Sequence, residues 1–356
     1  MVYNAVSVSD SKLFGAANHK IYEVGTGTAL DQSVTTTSNR FQYVNFTTPG
    51  GHFLWCCNGS DAPSTYDTSG GWLTPSLSVT TFTAADIINV NAHKKRLWFV
   101  FKNSTMAGFL PVNSIAGTVS NFELGTQFTK GGFLVAMGTW THDSGYGPDD
   151  YAVFISSEGQ VAIYKGIDPT DATNWSLIGV FDQAPPIGYR CFYKLNSDLA
   201  LISIDGVLPL SKAIGQDRGS NQFLAITKNI NNAMNDAARS WKANFGWQIQ
   251  PYPKGTYVLI NIPASEGSTQ YQYVMNTLTG AWCRFKGQNA NSWAVWKDDL
   301  YFGGNAGIVY KADDGGKDDT AGIDAGGQGA YSYYNPPGLI KQWKAARPIL
   351  TVGASL

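Results

Sequence analysis

Apolar and polar positions follow one plan that recurs seven times along the chain: an apolar strand, a short polar turn, then a second strand that usually ends near an aromatic residue or Leu. The copies are Lys12 to Val24 (KLFGAANHKIYEV), His52 to Tyr66 (HFLWCCNGSDAPSTY), Arg96 to Val112 (RLWFVFKNSTMAGFLPV), Tyr151 to Gly166 (YAVFISSEGQVAIYKG), Asp198 to Leu210 (DLALISIDGVLPL), Thr256 to Trp282 (TYVLINIPASEGSTQYQYVMNTLTGAW) and Asp299 to Ala312 (DLYFGGNAGIVYKA). Asn58-Gly59, Glu158-Gly159, Asp205-Gly206 and Thr279-Gly280 put Gly where a tight connection needs positive φ, and the flanking Val, Ile, Tyr and Phe favour strands. A lone hairpin cannot bury its apolar face, so the units must stack on one another. Their starts are roughly 40 to 58 residues apart, the period of propeller blades with insertions. The expected fold is therefore mainly β, a β-propeller of six or seven blades over residues 1–320. A pair of two-sheet sandwiches would explain the short strands but not the regular recurrence.

Three segments depart from the plan. From Asn221 to Phe245, the residues Ile226, Ile230, Ala233, Met234, Ala237 and Trp241 recur at helical spacing. This predicts one inserted amphipathic helix of about four turns, packed by its apolar stripe on a blade rim or docking a partner. Thr139 to Asp150 and Asp313 to Tyr334 are rich in Gly and Asp and read as long loops reaching beyond the blades. Residues 321–356 read as a Gly-rich loop and a C-terminal strand that closes the propeller or leads to a further domain.

Composition narrows the setting. Hydrophobic residues make up 43% of the 356 positions and charged residues only 14%, against about 25% in an ordinary soluble domain. A polar but poorly charged exterior suits surfaces buried in an assembly, as well as an ordinary extracellular β protein. The net charge of -1 provides no basic field to hold a nucleic-acid backbone tightly, although a near-neutral wall is compatible with DNA sliding past. Cys56, Cys57, Cys191 and Cys283 form neither a disulfide framework nor a zinc spacing and read as reduced, buried small hydrophobes. The N-terminus lacks the basic start and apolar run of a secretory signal, and no apolar stretch reaches the roughly 20 residues of a membrane span. Synthesis and folding in the cytoplasm are expected.

The sequence offers little chemistry. His19, His52, His93 and His142 sit in separate hairpins or loops, without the paired spacing of a metal site. No G-x-S-x-G elbow occurs, and Gly315-Gly316 does not lead from a strand into a helix as a phosphate loop would. Asp149 and Asp150 are adjacent, so on a strand they point to opposite faces and cannot flank one glycosidic bond. Asp143, Asp149 and Asp150 lack the ordered spacing of a calcium loop and read as solvated loop acids. The Asn276 to Trp282 run reads as a blade turn. Lys94 to Phe101 (KKRLWFVF) and Trp282 to Lys286 (WCRFK) interleave aromatic and basic residues, which suits stacking on bases or sugars but more simply belongs to a blade core. No catalytic residue, metal ligand or cofactor is expected.

A more specific text runs through the middle and C-terminal half. It comprises Lys95 to Phe99 (KRLWF), Leu110 to Gly117 (LPVNSIAG), Gly131 to Thr141 (GGFLVAMGTWT), Asp150 to Phe154 (DYAVF), Ser157 to Gly159 (SEG), Tyr164 to Pro169 (YKGIDP) and Asp205 to Ser211 (DGVLPLS). Asn244 to Trp247 (NFGW), Tyr273 to Trp282 (YVMNTLTGAW) and Leu300 to Gly304 (LYFGG) complete it. In that order the series resembles virion proteins of tailed bacteriophages, related in role to the packaged-DNA stabilisation or tail nozzle proteins of short-tailed phages, over residues 40–348. The resemblance implies a structural, propeller-containing subunit in the virion tail, in a ring that is typically hexameric. Such a ring lies below portal and adaptor proteins, meets tail fibres or tailspikes, extends the DNA channel with transient contact to the genome, and helps retain and deliver it. No catalytic residue carries over. The family members are longer at both ends, which raises the expectation of further domains. A propeller module that binds glycans or a receptor is the alternative from another class, and a glycosidase a third.

Overall fold

The computed structural model describes residues 1–25, 30–143, 148–195, 197–216, 218–318 and 321–327, with isolated positions 338, 340, 342, 344, 345 and 347; the side chains of 142–149, 222, 318 and 321 are outside the description. The chain divides into two units, Met1–Asp313 and Asp314–Leu356. The first is a seven-bladed β-propeller.

Each blade is an antiparallel meander; in blade 3 a two-residue strand, Gly117–Thr118, intervenes between the third and fourth strands and pairs in parallel with Leu77–Ser78. Blade 1 comprises Val2–Tyr3, Lys12–Ala17, Lys20–Val24 and Leu30–Thr35; blade 2, Gln42–Thr48, Gly51–Cys57, Ser64–Asp67 and Gly71–Leu73; blade 3, Ile87–His93, Arg96–Phe101, Met106–Phe109 and Ser120–Glu123. Blade 4 comprises Leu134–Asp143, Pro148–Ser156, Gln160–Gly166 and Trp175–Asp182; blade 5, Phe192–Leu195, Asp198–Ser203 and Gly206–Pro209. Blade 6 comprises Gln248–Tyr252, Tyr257–Ser265, Thr269–Asn276 and Trp282–Lys286; blade 7, Ala290–Trp296, Asp299–Gly304 and Val309–Ala312. The seven recurrent hairpins are thus the second and third strands of the seven blades.

In the middle blades those strands read as apolar runs because they are buried on both faces, whereas in blades 1 and 7 they are largely half-buried. In blade 3, Leu97, Phe99 and Phe101 enter a core shared with Phe46, Trp55 and Cys57 of blade 2, while Trp98 and Val100 enter one shared with Ala152 and Phe154 of blade 4. Successive side chains on a strand alternate faces, so one strand serves two inter-blade cores. The basic-aromatic run at Lys94 is therefore core, as expected. The run at Trp282 is an outermost strand, where Trp282 and Phe285 are half-buried and Cys283, Arg284 and Lys286 are exposed.

Turn chemistry follows the sequence. Gly159 has φ 84°, and a Cβ there would stand 2.3 Å from the Gln183 carbonyl oxygen, so the turn admits no side chain. Lys94-Lys95 and Lys297-Asp298 make turns with positive φ at both residues and no Gly, a geometry the sequence did not announce. In the Asn276 to Trp282 blade turn, the Asn276 side-chain oxygen accepts the N–H groups of Leu278 and Thr279 at 2.9 and 3.0 Å.

Three expectations change. Thr139 to Asp143 and Pro148 to Asp150 are not loop: they belong to the first two strands of blade 4, which pair as far as Asp143 with Pro148, while residues 144–147 lie outside the described residues. The inserted helix is interrupted. Asn221–Leu224 is a single turn, Ala225 is extended at ψ 140°, Ile226–Ile230 is a 3₁₀ segment, and only Asn231–Trp241 is a continuous α-helix of 11 residues. Its stripe packs on blades 5 and 6, where Met234, Ala237 and Ala238 join Ile202, Val207, Ile260 and Ile262 in one core. This insertion stands where blade 5 lacks a fourth strand, and the Thr227 hydroxyl accepts the Val207 N–H at 3.2 Å. Finally, Cys56, Cys57 and Cys191 are buried, but Cys283 is exposed because its strand lies outermost.

In the second unit, Lys317–Asp318 pairs with Ala321–Gly322. Most of the expected C-terminal strand, and residues 328–334 of the Gly-rich segment, lie outside the described residues.

Candidate functional site

The first strand of each blade is the one the hydrophobic pattern did not reveal, and it builds the centre of the molecule. Blades 2 to 7 turn these strands toward a common axis, around a cavity of about 1170 Å³. Their apolar residues feed the inter-blade cores, while alternate positions carry amides: Asn45, Asn89, Asn91, Gln248 and Asn291.

Most of these amides fasten one blade to the next. Asn45 donates to the Val2 carbonyl at 2.9 Å and accepts the Asn4 N–H at 3.0 Å, joining blade 2 to blade 1. Asn89 accepts the Met137 N–H at 3.2 Å, and Asn91 donates to the Met137 carbonyl at 3.2 Å, joining blade 3 to blade 4. Gln248 donates to the Trp293 carbonyl at 2.8 Å and accepts its N–H at 3.0 Å, joining blade 6 to blade 7. Paired in this way, the amides satisfy backbone groups that the inner strands would otherwise leave open.

In a four-stranded meander, the connections between blades and the turns between second and third strands lie on the same face. There Arg40, from the connection into blade 2, forms an ion pair with Glu266, from a turn of blade 6, and stacks 4.9 Å from the centre of the Phe245 ring. Arg190, from the connection into blade 5, donates to the Phe41 carbonyl at 2.8 Å and to the Gln248 side-chain oxygen at 3.0 Å, with its guanidinium 5.4 Å from the same ring. One side chain thus ties blades 5 and 6 to the entry of blade 2. Burial lowers the Arg190 pKa, opposed by the nearby Tyr43 phenol; burial in turn raises that phenol, opposed by Arg190. The guanidinium remains charged at neutral pH.

The candidates named from sequence are scattered over this frame. The His19 Nδ1 lies 3.1 Å from the Thr36 carbonyl oxygen, the His52 Nδ1 3.1 Å from the Thr47 hydroxyl, and the His93 Nδ1 3.3 Å from the Thr139 hydroxyl, in three different blades. The His142, Asp143 and Asp149 side chains lie outside the described residues. Asp150 accepts the Thr141 hydroxyl at 2.7 Å and stands 3.7 Å from the Lys94 ammonium. Burial pushes the Cys56 and Cys191 thiols up to about 12, away from thiolate chemistry. Among the described residues, no three His, Cys, Asp or Glu side chains cluster as metal ligands.

No protein-family model matches the chain. No curated protein matches it either. Among solved structures it is similar to BBS1N, from a complex with ARL6DN, at 11% identity over 87% of this chain and 90% of that one, with a TM-score of 0.55. It is also similar to Saccharomyces cerevisiae Sqt1, at 12% identity over 85% of this chain and 93% of that one, with a TM-score of 0.48. The likeness is one of fold alone.

Arg190 and the inner-strand amides were missed from sequence. The signal of the amides is a short polar-apolar alternation, as in Ile88-Asn89-Val90-Asn91 and Gln248-Ile249-Gln250, upstream of a conspicuous hairpin; Arg190 has no such signal.

Proposed function

We propose that this chain is a structural subunit of a bacteriophage tail, a nozzle or head-to-tail stabilisation protein that stands in a ring with copies of itself and extends the DNA channel. The observation that carries the reading is the propeller itself: the motif series resembling the tail proteins implies one, and the series runs through blades 3 to 7. Low charge supports it, as does the outermost strand of blade 4, Trp175–Asp182, an unpaired edge where Leu177 and Ile178 are 38% and 48% exposed. The axial cavity is crossed by Arg190 and is far too small for a duplex, so in this reading DNA passes between subunits. The protein is then a non-catalytic component of the virion tail that meets portal or adaptor proteins and tail fibres or tailspikes.

Two measurements test this. Light scattering on the purified protein should give a sixfold or twelvefold mass, and virion imaging should show density along the tail axis that holds the propeller in a ring. Tail-axis density unable to hold this fold overturns the assignment. A glycan- or receptor-binding propeller is the second reading, favoured by Tyr189, 41% exposed beside the amide-lined cavity. Hits on a glycan array with a monomeric protein would favour it.

A further inference from the structure

The axial cavity carries an unbalanced charge. Among the described residues, its lining includes Arg40, Arg190 and Lys194 but only one carboxylate, Glu266. Glu266 is already engaged: it pairs with Arg40 and accepts the Phe245 N–H at 2.9 Å. The chain as a whole carries a net charge of -1, so a surplus of two positive charges among the described lining residues is a local feature.

Arg190 is the centre of that surplus. A guanidinium has five N–H donors. Two are used, on the Phe41 carbonyl and the Gln248 amide oxygen, and both acceptors are neutral. The other three have no protein acceptor among the described residues. A cation withdrawn from bulk water beside neutral partners alone is held at a cost that an anion would offset. Lys194, on the first strand of blade 5, is a further lining cation, exposed, with its ammonium 3.4 Å from the Thr141 hydroxyl. The cavity is of a size that ordinary small ligands fill.

We propose that the axial cavity binds a small anionic molecule through carboxylate or phosphate oxygens, which dock on the free edge of the Arg190 guanidinium. The planar fork of the guanidinium matches two oxygens of either group. The site is independent of the ring assignment, since every lining residue belongs to one chain.

The test is thermal unfolding and calorimetric titration of the purified full chain with citrate, for the carboxylate arm, and inorganic phosphate, for the other, at ionic strength fixed with sodium chloride. The expected result is a saturable rise in Tm with at least one of the two. Arg190→Gln should weaken the apparent affinity by about tenfold or more, the loss expected for a charge-assisted pair. Should Arg190→Gln fail to fold, Arg190→Lys keeps the charge without the fork and should bind measurably more weakly than the wild type. The proposal is overturned if neither probe gives a saturable rise beyond sodium chloride alone, or if affinity is unchanged in the folded Arg190 variants.

Discussion

The faces between blades 3 and 4 and between blades 7 and 1 are the same kind of contact built from opposite materials. Between blades 3 and 4, Trp98, Phe109, Phe122, Phe154, Tyr164 and Trp175 fill one buried column, with Trp98 and Trp175 stacked at 5.6 Å and Tyr164 and Trp175 at 5.6 Å. Between blades 7 and 1, small residues meet: a Cβ at Gly15 would lie 3.5 Å from a Val309 methyl, and one at Gly307 would lie 3.6 Å from the Ala17 Cβ. Six buried cores join successive blades from 1 to 7, and none of the described clusters spans blades 7 and 1. The axial cavity extends into that seam, lined by Gly15 to Asn18 and Gly303 to Val309. Among the described residues, no strand is shared between the first blade and the last. The lesson is that, among the described residues, the ring is held by packing around most of its circumference and has its thinnest contact between blades 7 and 1, which also lines the cavity.

The largest expected effect comes from breaking the thick side. Trp98→Ala should cost about 3–5 kcal/mol by opening a cavity in a dry core, read as a lower urea midpoint; a loss below 1 kcal/mol would show that the column is not the main tie. The same comparison is sharpened by strengthening the thin side. A disulfide formed from Ala17→Cys and Gly307→Cys should stabilise the oxidised protein by about 1–3 kcal/mol, the usual gain less the strain of a side chain at φ 74°. A seam already well packed would gain nothing.

Gln248→Ala removes both bonds to Trp293 and one from Arg190, and should cost about 1–3 kcal/mol by leaving buried groups unpaired. It should also loosen blade 7, detectable as faster proteolysis there than in blade 4. Val309→Ala, in the seam, should cost less than about 1 kcal/mol.

The smallest effect is one of pH. Burial of Asp61 opposes its ionisation, but bonds from Thr37, Asn58 and Ser38 outweigh it and hold the carboxyl below its usual range. A depressed pKa means stability that is present above the ordinary carboxylate range and lost as pH falls through the folded value. Asp61→Asn should therefore reduce Tm at pH 7 slightly and flatten the decline of Tm below pH 4.

The comparison also explains what the sequence revealed. The second and third strands of most blades are buried on both sides, so they stand out as apolar hairpins; their recurrence pointed to six or seven blades, and the structure has seven. The inner strands stayed hidden because Asn45, Asn89, Asn91 and Gln248 look like loop residues until the next blade supplies the backbone they bind. Arg190 follows Gly188-Tyr189 in a connection and has no local pattern; its partners lie in blades 2 and 6. The stripe from Ile226 to Trp241 correctly marked a buried face, yet the spacing could not show that Ala225 interrupts the helix.

Native-state hydrogen exchange tests the unequal ring most directly. The account predicts that amides of Gly15 to Ala17 and Phe302 to Gly304 exchange through an opening at least about 2 kcal/mol cheaper than the one that exposes Trp98 to Val100 and Ala152 to Phe154. Equal protection of all four segments would contradict it.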